Sequence, residues 1–258
     1  MSKLLIIDPL DLSLKSEDGS SLWSSRSCFE ACLRDVEGLV CEYTTAKDAE
    51  LCRRAMKADG VILGGSEASA WVDTVFNDHL LDLIAICKNN RIPLFAICYG
   101  AQLLGRALGG HVSRHPEGME LGAPAIRISE KGKQHFVFEG IGGGCIWSVE
   151  THNDAVMTLP PKCELLASTA HTPVQAFSYD GLLTGVQFHP EMDSEDLRYL
   201  WQAFEKSGFV ENVPTSYQQR INACECERQG RMLQNFAKRV RSASRQKKSE
   251  SSLSLRRS

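Results

Sequence analysis

Along the first hundred residues, short unbroken apolar runs alternate with segments whose apolar residues fall at helical spacing. Lys3 to Asp8, KLLIID, is apolar rather than alternating, as expected of a strand buried on both faces of a parallel sheet. The Ser-rich stretch Ser13 to Ser27 reads as a loop leading into a helix around Cys28 to Asp35. Leu39 to Tyr43 is a second strand, followed by a helix over Thr45 to Lys57 with Ala46, Ala49, Cys52, Arg53 and Met56 at helical spacing. Gly60 to Gly65, GVILGG, is a third strand ending in two glycines, and Trp71 to Asn89 carries Val75, Leu80, Leu83, Ile84 and Cys87 along one amphipathic helix. This rhythm predicts an α/β fold: an open, mainly parallel sheet flanked by helices.

The next stretch, PLFAICYGAQLLGRALGG from Pro93 to Gly110, organises the rest. The run Leu94 to Ile97 is short enough for a buried strand. It breaks at Cys98-Tyr99-Gly100 into a helical pattern of Leu103, Leu104 and Leu108. A nucleophile on such a strand-turn-helix elbow stands clear of the sheet, beside helix N–H groups that favour negative charge. A thiol needs that help, because a free cysteine with a pKa of about 8.5 is mostly protonated at neutral pH. A buried core cysteine is the plainer account of Cys98 taken alone.

After Gly110 come short segments separated by glycine and proline: Ala125 to Ile128, His135 to Phe138, Cys145 to Val149, Glu164 to Ser168 and Val174 to Tyr179. These read as a small antiparallel sheet covering one edge of the site, with Leu182 to His189 returning to the main sheet and a helix from Ser194 to Lys206 closing the domain. Within LTGVQFHPEM, Leu183 to Met192, a strand ends at His189, Pro190 forbids its continuation, and Glu191 follows. Cysteine hydrolases need a base beside the sulfur and a third group that orients the imidazole, and His189 and Glu191 have the right chemistry for both.

Composition narrows the setting. The ten cysteines are scattered without a C-x-x-C pair, and no apolar run approaches the roughly 20 residues of a spanning helix. The N-terminal apolar run is too short for a secretory signal, so reduced thiols and a cytoplasmic location are expected. The net charge of −3 is uneven: from Ala237 onward the chain carries about +7, leaving about −10 on the rest. An acidic body argues against nucleic-acid binding by charge, which leaves the basic C-terminal segment as its one candidate, through Arg228, Arg231, Lys238, Arg239 and Arg241. His111 and His115 are four apart, but neighbouring glycine and proline spoil a ligand-bearing helix. No metal and no cofactor are expected.

AICYGAQLLG followed by GVQFHPE resembles the class I, triad-type glutamine amidotransferases, especially the glutaminase domain of GMP synthase, over about Lys3 to Lys206. The resemblance implies a Cys98, His189, Glu191 triad that attacks the side-chain amide of glutamine through a γ-glutamyl thioester. It implies an oxyanion hole from the backbone N–H groups of Tyr99 and Gly65, with Gly64 as neighbour, and places Gln102 near the glutamyl portion. More loosely, Gly118 to Gly122, with Glu120, resembles a pocket-lining segment. Trp147 to Asp154 resembles a loop in which His152, Asn153 and Asp154 hold the substrate's amino and carboxylate groups.

The resulting division is a class I glutamine amidotransferase-like domain over 1–212, a C-terminal helical extension over 213–240, and a disordered basic Ser/Arg-rich tail over 241–258. Only 67 residues follow Glu191 and carry no nucleotide-binding motif, so a complete synthase is not expected. Three readings remain: a free-standing glutaminase or γ-glutamyl hydrolase, an ammonia-donating subunit that docks a separate synthetase chain, and a non-catalytic binding protein.

Overall fold

The unbroken apolar runs come to lie side by side in the middle of one sheet. The structure is a computed structural model that describes residues 1–210 and 214–255, with side chains as far as residue 246. Leu39–Thr44, Ser2–Ile7, Gly60–Leu63, Leu94–Ile97 and Leu183–Val186 are neighbours in that order, all parallel. Ala176–Tyr179, Cys163–Ser168, Ala125–Ile128 and Cys145–Trp147 extend the same sheet by antiparallel pairing to nine strands.

Alternate residues of the central strands feed two cores, as the strand period of two requires. Leu5, Ile7, Val61, Leu63 and Leu94 pack with Leu80, Leu83, Leu103 and Leu104 from the helices Val75–Asn89 and Tyr99–Ala107. Leu4, Ile6, Ile62, Phe95 and Ile97 pack with Phe29 and Leu33 of the helix Ser25–Leu33 and with Leu233, Phe236 and Val240 of the C-terminal helix Arg231–Leu255. A third cluster joins the helix Ser194–Ser207 to the Ser13–Lys15/Ser21–Ser24 hairpin through Leu14, Trp23, Leu197 and Trp201.

Several local expectations are corrected. The helix expected over Thr45 to Lys57 is reduced to Leu51–Ala55, because Thr45 and Asp48 side chains capture the Lys47 and Glu50 amides and offer the backbone a turn instead. His135 to Phe138 is not a strand. Ser129 caps the short helix Glu130–Gln134, and a 3-10 turn Phe136–Phe138 follows it. The antiparallel strands do not form a separate cover but continue the main sheet. What flanks the site is two further antiparallel pairs, Glu120–Gly122 with Glu150–His152 and His111–Arg114 with Asp154–Thr158.

The C-terminal helix is a layer of the domain. A Cβ on Gly60 would come within 2.5 Å of the Val240 side chain, and the Phe236 and Phe95 rings lie 5.5 Å apart. It is separated from the helix Thr215–Asn222 by an irregular stretch, and its backbone continues past Val240 to Leu255. The boundary near residue 212 and the final residues 256–258 lie outside the described residues. Most of the basic groups considered for an outside partner are engaged within the chain: Arg228 with Asp193 at 2.8 Å and with Asp196, Arg231 with the Glu139 carbonyl, Arg239 over the Phe136 ring, and Arg241 with the Glu37 carbonyl. No helix among the described residues is long and apolar enough to cross a membrane.

If this helix closes the core, Phe236→Ala should cost about 3–5 kcal/mol in urea unfolding. Ser242→Ala, on the exposed side, should cost less than about 0.5 kcal/mol. Similar values for the two would contradict the packing.

Candidate active site

All five parallel strands end at one edge, which is where an open α/β sheet presents its site. At the end of Leu94–Ile97 the backbone turns sharply. Cys98 has φ 50° and ψ −110°, a conformation that costs a non-glycine residue energy and is held by its surroundings. Its N–H is tied to the Val186 carbonyl at 2.8 Å. Two residues on, a Cβ at Gly100 would meet the Leu63 carbonyl oxygen at 2.5 Å, so only glycine lets the helix start so close to the neighbouring strand. Tyr99, the first helical residue, has an amide without an intrahelical acceptor, and its hydroxyl donates to Asn77.

His189 arrives from the next strand. Its amide bonds to the Val149 carbonyl at 2.8 Å, and its Nδ1 lies 2.8 Å from Glu191 Oε1, so Nδ1–H donates to the carboxylate. Cys98, His189 and Glu191 are all at most 5% exposed. Burial resists charge on His189, but the Glu191 carboxylate and the Cys98 sulfur outweigh that and raise its pKa well above the usual histidine range. Gly65 sits between the two: a Cβ there would be 3.0 Å from His189 Cε1 and 3.7 Å from Cys98 Cβ. Gly64 packs inward, its amide on the Ile7 carbonyl, and a Cβ there would lie 3.3 Å from the Phe29 ring.

A cavity of about 280 Å³ opens beside Cys98. One wall is polar, with Ser66, Glu67, Gln102, Arg114, His152, Asn153 and Asp154; the other is Trp201, Phe204, Phe209, Val210 and Tyr217. Gln102, His152, Asn153 and Asp154 line this cavity, and Asp154 is fixed by the Trp71 indole N–H at 2.9 Å. Glu120 does not reach it. Its carboxylate accepts from Thr169, Thr172 and Gln175 and lies 3.2 Å from His152 Nε2, so it supports His152 from behind instead of lining the pocket.

Sequence reasoning passes over Glu150 and the aromatic wall. Glu150 is fully buried, with Oε2 3.1 Å from His152 Nε2, too poorly aligned for a hydrogen bond, and neither of its oxygens has a hydrogen-bond partner among the described residues. Burial pushes its carboxyl up to about 7. Burial works against a charged His152 too, but Glu120 and Glu150 outweigh it and raise the imidazole to about 10. The facing atoms of these three residues lie within 4.8 Å of one another. A proton on His152 supplies there the positive charge that a cation would bring. The strand period of two in WSVETHND could have placed Glu150 on the same face as His152. The aromatic wall is assembled from residues after Leu200 that show no pattern tied to the site.

The family description "glutamine amidotransferase class-I" matches residues 23–204. The chain belongs to this family. Among curated proteins it is 34% identical over 144 residues to a glutamine-hydrolysing GMP synthase of Leifsonia xyli, covering 54% of this chain and 27% of that one. It is 34% identical over 161 residues to the corresponding protein of Prochlorococcus marinus, covering 61% of this chain and 28% of that one. The match therefore spans little more than a quarter of those relatives. Among solved structures, a glutamine amidotransferase of Thermotoga maritima superposes with TM-score 0.69 at 21% identity, over 93% of this chain and 97% of that one. Another from Methylobacillus flagellatus gives 0.66 at 20%, over 93% and 94%. These likenesses establish the α/β amidotransferase fold with its small antiparallel sheets.

The buried His152 makes stability depend on pH. Its folded pKa, near 10, lies above its ordinary 6.5, so the charged imidazole stabilises fully below pH 6.5 and its contribution is lost as pH rises through about 10. The stability advantage of the wild type over His152→Gln should shrink across that window in thermal melts. A difference independent of pH would mean that His152 is buried uncharged.

Proposed function

We propose that the chain is a cysteine hydrolase that cleaves the γ-glutamyl amide of glutamine or a γ-glutamyl compound. The observation that carries this reading is the imidazole of His189, anchored by Glu191 at 2.8 Å and placed across Gly65 from Cys98 on its strained turn. In this mechanism His189 takes the thiol proton and Cys98 attacks the amide carbon, giving a tetrahedral oxyanion. In this reading the Tyr99 and Gly65 amides receive that charge, a contribution of about 3–4 kcal/mol each in comparable sites. His189 then protonates the departing amine, leaving a γ-glutamyl thioester. Water, deprotonated by His189, releases glutamate and restores the thiol. The polar wall suits a zwitterionic glutamyl group, with Arg114 for the carboxylate and Glu67 and Asp154 for the ammonium.

A second reading, an ammonia-donating subunit serving a separate synthetase chain, is favoured by the resemblance to glutamine-hydrolysing GMP synthases. The aromatic wall favours the first, since Trp201, Phe204 and Tyr217 offer an apolar surface that ammonia as leaving group would not use. The test is glutamate release by the purified chain from glutamine and from γ-glutamyl-phenylalanine, with Cys98→Ser alongside. Turnover should vanish in Cys98→Ser without loss of stability, and kcat/KM should be higher for the dipeptide. Turnover retained by Cys98→Ser would refute the cysteine mechanism, and activity on glutamine that appears only with a synthetase chain would establish the subunit reading.

A further inference from the structure

The mechanism above leaves one buried polar side chain at the sulfur without a role. Gln187, 2% exposed and placed directly after the strand Leu183–Val186, points its side-chain amide at Cys98, with Nε2 to Sγ 3.5 Å. Its orientation follows from its neighbours. The Asp154 carbonyl can only accept, so the group of Gln102 that lies 2.7 Å from it must be the NH2. The second N–H of that group reaches Gln187 at 3.2 Å, which must therefore present its oxygen to Gln102 and its NH2 to the sulfur. The same Asp154 carbonyl also accepts from His152 Nδ1 at 3.0 Å, and His152 is held from behind by Glu120. An unbroken chain of oriented groups thus runs from the buried Glu120 and His152 to the nucleophile.

We propose that Gln187 is a catalytic residue that donates a hydrogen bond to the Cys98 thiolate, with Gln102 as the positioning residue that fixes its amide. This rests on the reading of Cys98 as nucleophile. Gln187 takes no proton: the thiol proton goes to His189, and Gln187 stabilises the charge left on sulfur, as an N–H donor does more strongly for an anion than for a neutral acceptor. The other charged or titratable groups facing this region are His189 and Glu191 after the same strand, His152 and Glu150 from Glu150–His152, and Glu67 from the loop after Gly65. None of them changes with Gln187.

The test is alkylation of Cys98 by iodoacetamide as a function of pH, with the modified residue identified by peptide mapping. It requires no substrate, so a defect in glutamine binding does not confound it. Gln187→Met keeps the volume and removes the donor. Alkylation of Cys98 should become roughly tenfold slower at neutral pH, the effect of one hydrogen bond to a charged group, with its rate profile displaced to higher pH. Gln187→Glu, which sets a carboxylate against the sulfur, should be slower still, and Gln102→Met should share the displacement in weaker form. Folded Gln187 variants that alkylate like the wild type at every pH overturn the proposal alone, whereas a wild type whose Cys98 stays unmodified overturns the nucleophile reading as well. Should the variants fail to fold, the Gln187 side-chain amide resonance of the wild type must shift as the thiolate forms, and a resonance unmoved through that titration overturns the assignment.

Discussion

The close approach of the helix Tyr99–Ala107 to the end of Gly60–Leu63 is the constraint on which the site depends. Gly100 rests against the Leu63 carbonyl at a distance no side chain tolerates, and the price is the unfavourable backbone of Cys98 two residues earlier. That turn is held by packing on both sides: Phe95 and Ile97 in one core, Leu103 and Leu104 in the other. A strained residue persists only where its surroundings over-determine it, and here the nine-stranded sheet supplies that rigidity. The sulfur consequently meets His189 and Gln187 without any loop having to close.

Electrostatically the site has two tiers. His189 and Glu191 form a hydrogen-bonded pair near the sulfur, while Glu120, Glu150 and His152 form a second buried group, of which His152 lines the cavity. The second group contains two carboxylates and one imidazole, and the structure handles the surplus by asymmetry. Glu120 accepts from Thr169, Thr172 and Gln175, and against its burial His152, with Thr172 and Thr169, holds its carboxyl below the usual range. Glu150 receives none and rises to about 7. One carboxylate is thereby kept ionised and the other is free to carry a proton, which avoids two uncompensated charges in a dry interior.

How far the sequence disclosed this can be judged residue by residue. The parallel strands were legible because a strand buried on both faces must be apolar at successive positions, and KLLIID, GVIL and LFAI are. The elbow became legible only with the downstream LTGVQFHPEM, since Cys98 taken alone reads more plainly as a core cysteine and it is His189 and Glu191 that give it a base and an orienting group. Thr45 to Glu50 misled because its helical spacing of alanines competes with Thr and Asp side chains that bond locally. Gln187 stood in plain view within GVQFHPE, yet its role depends on the Asp154 carbonyl, a backbone atom brought in from a separate two-stranded sheet. Such a link has no signature in composition or spacing.

The C-terminal helix extends the same reasoning to charge. Counted along the chain, its lysines and arginines make a basic segment that suggests an external anion. Counted in space, Arg228 lies against Asp193 and Asp196 at the capped start of the helix Ser194–Ser207, where it pairs with both carboxylates of that capping box. Arg231 and Arg241 end on backbone carbonyls of the domain, and Arg239 covers an aromatic ring. The helix therefore offers its apolar face to the sheet, and Arg231, Arg239 and Arg241 fasten the rim of that contact. Since the helix Ser194–Ser207 contributes Trp201 and Phe204 to the cavity, the Arg228 contacts connect the C-terminal layer mechanically to the apolar wall of the site.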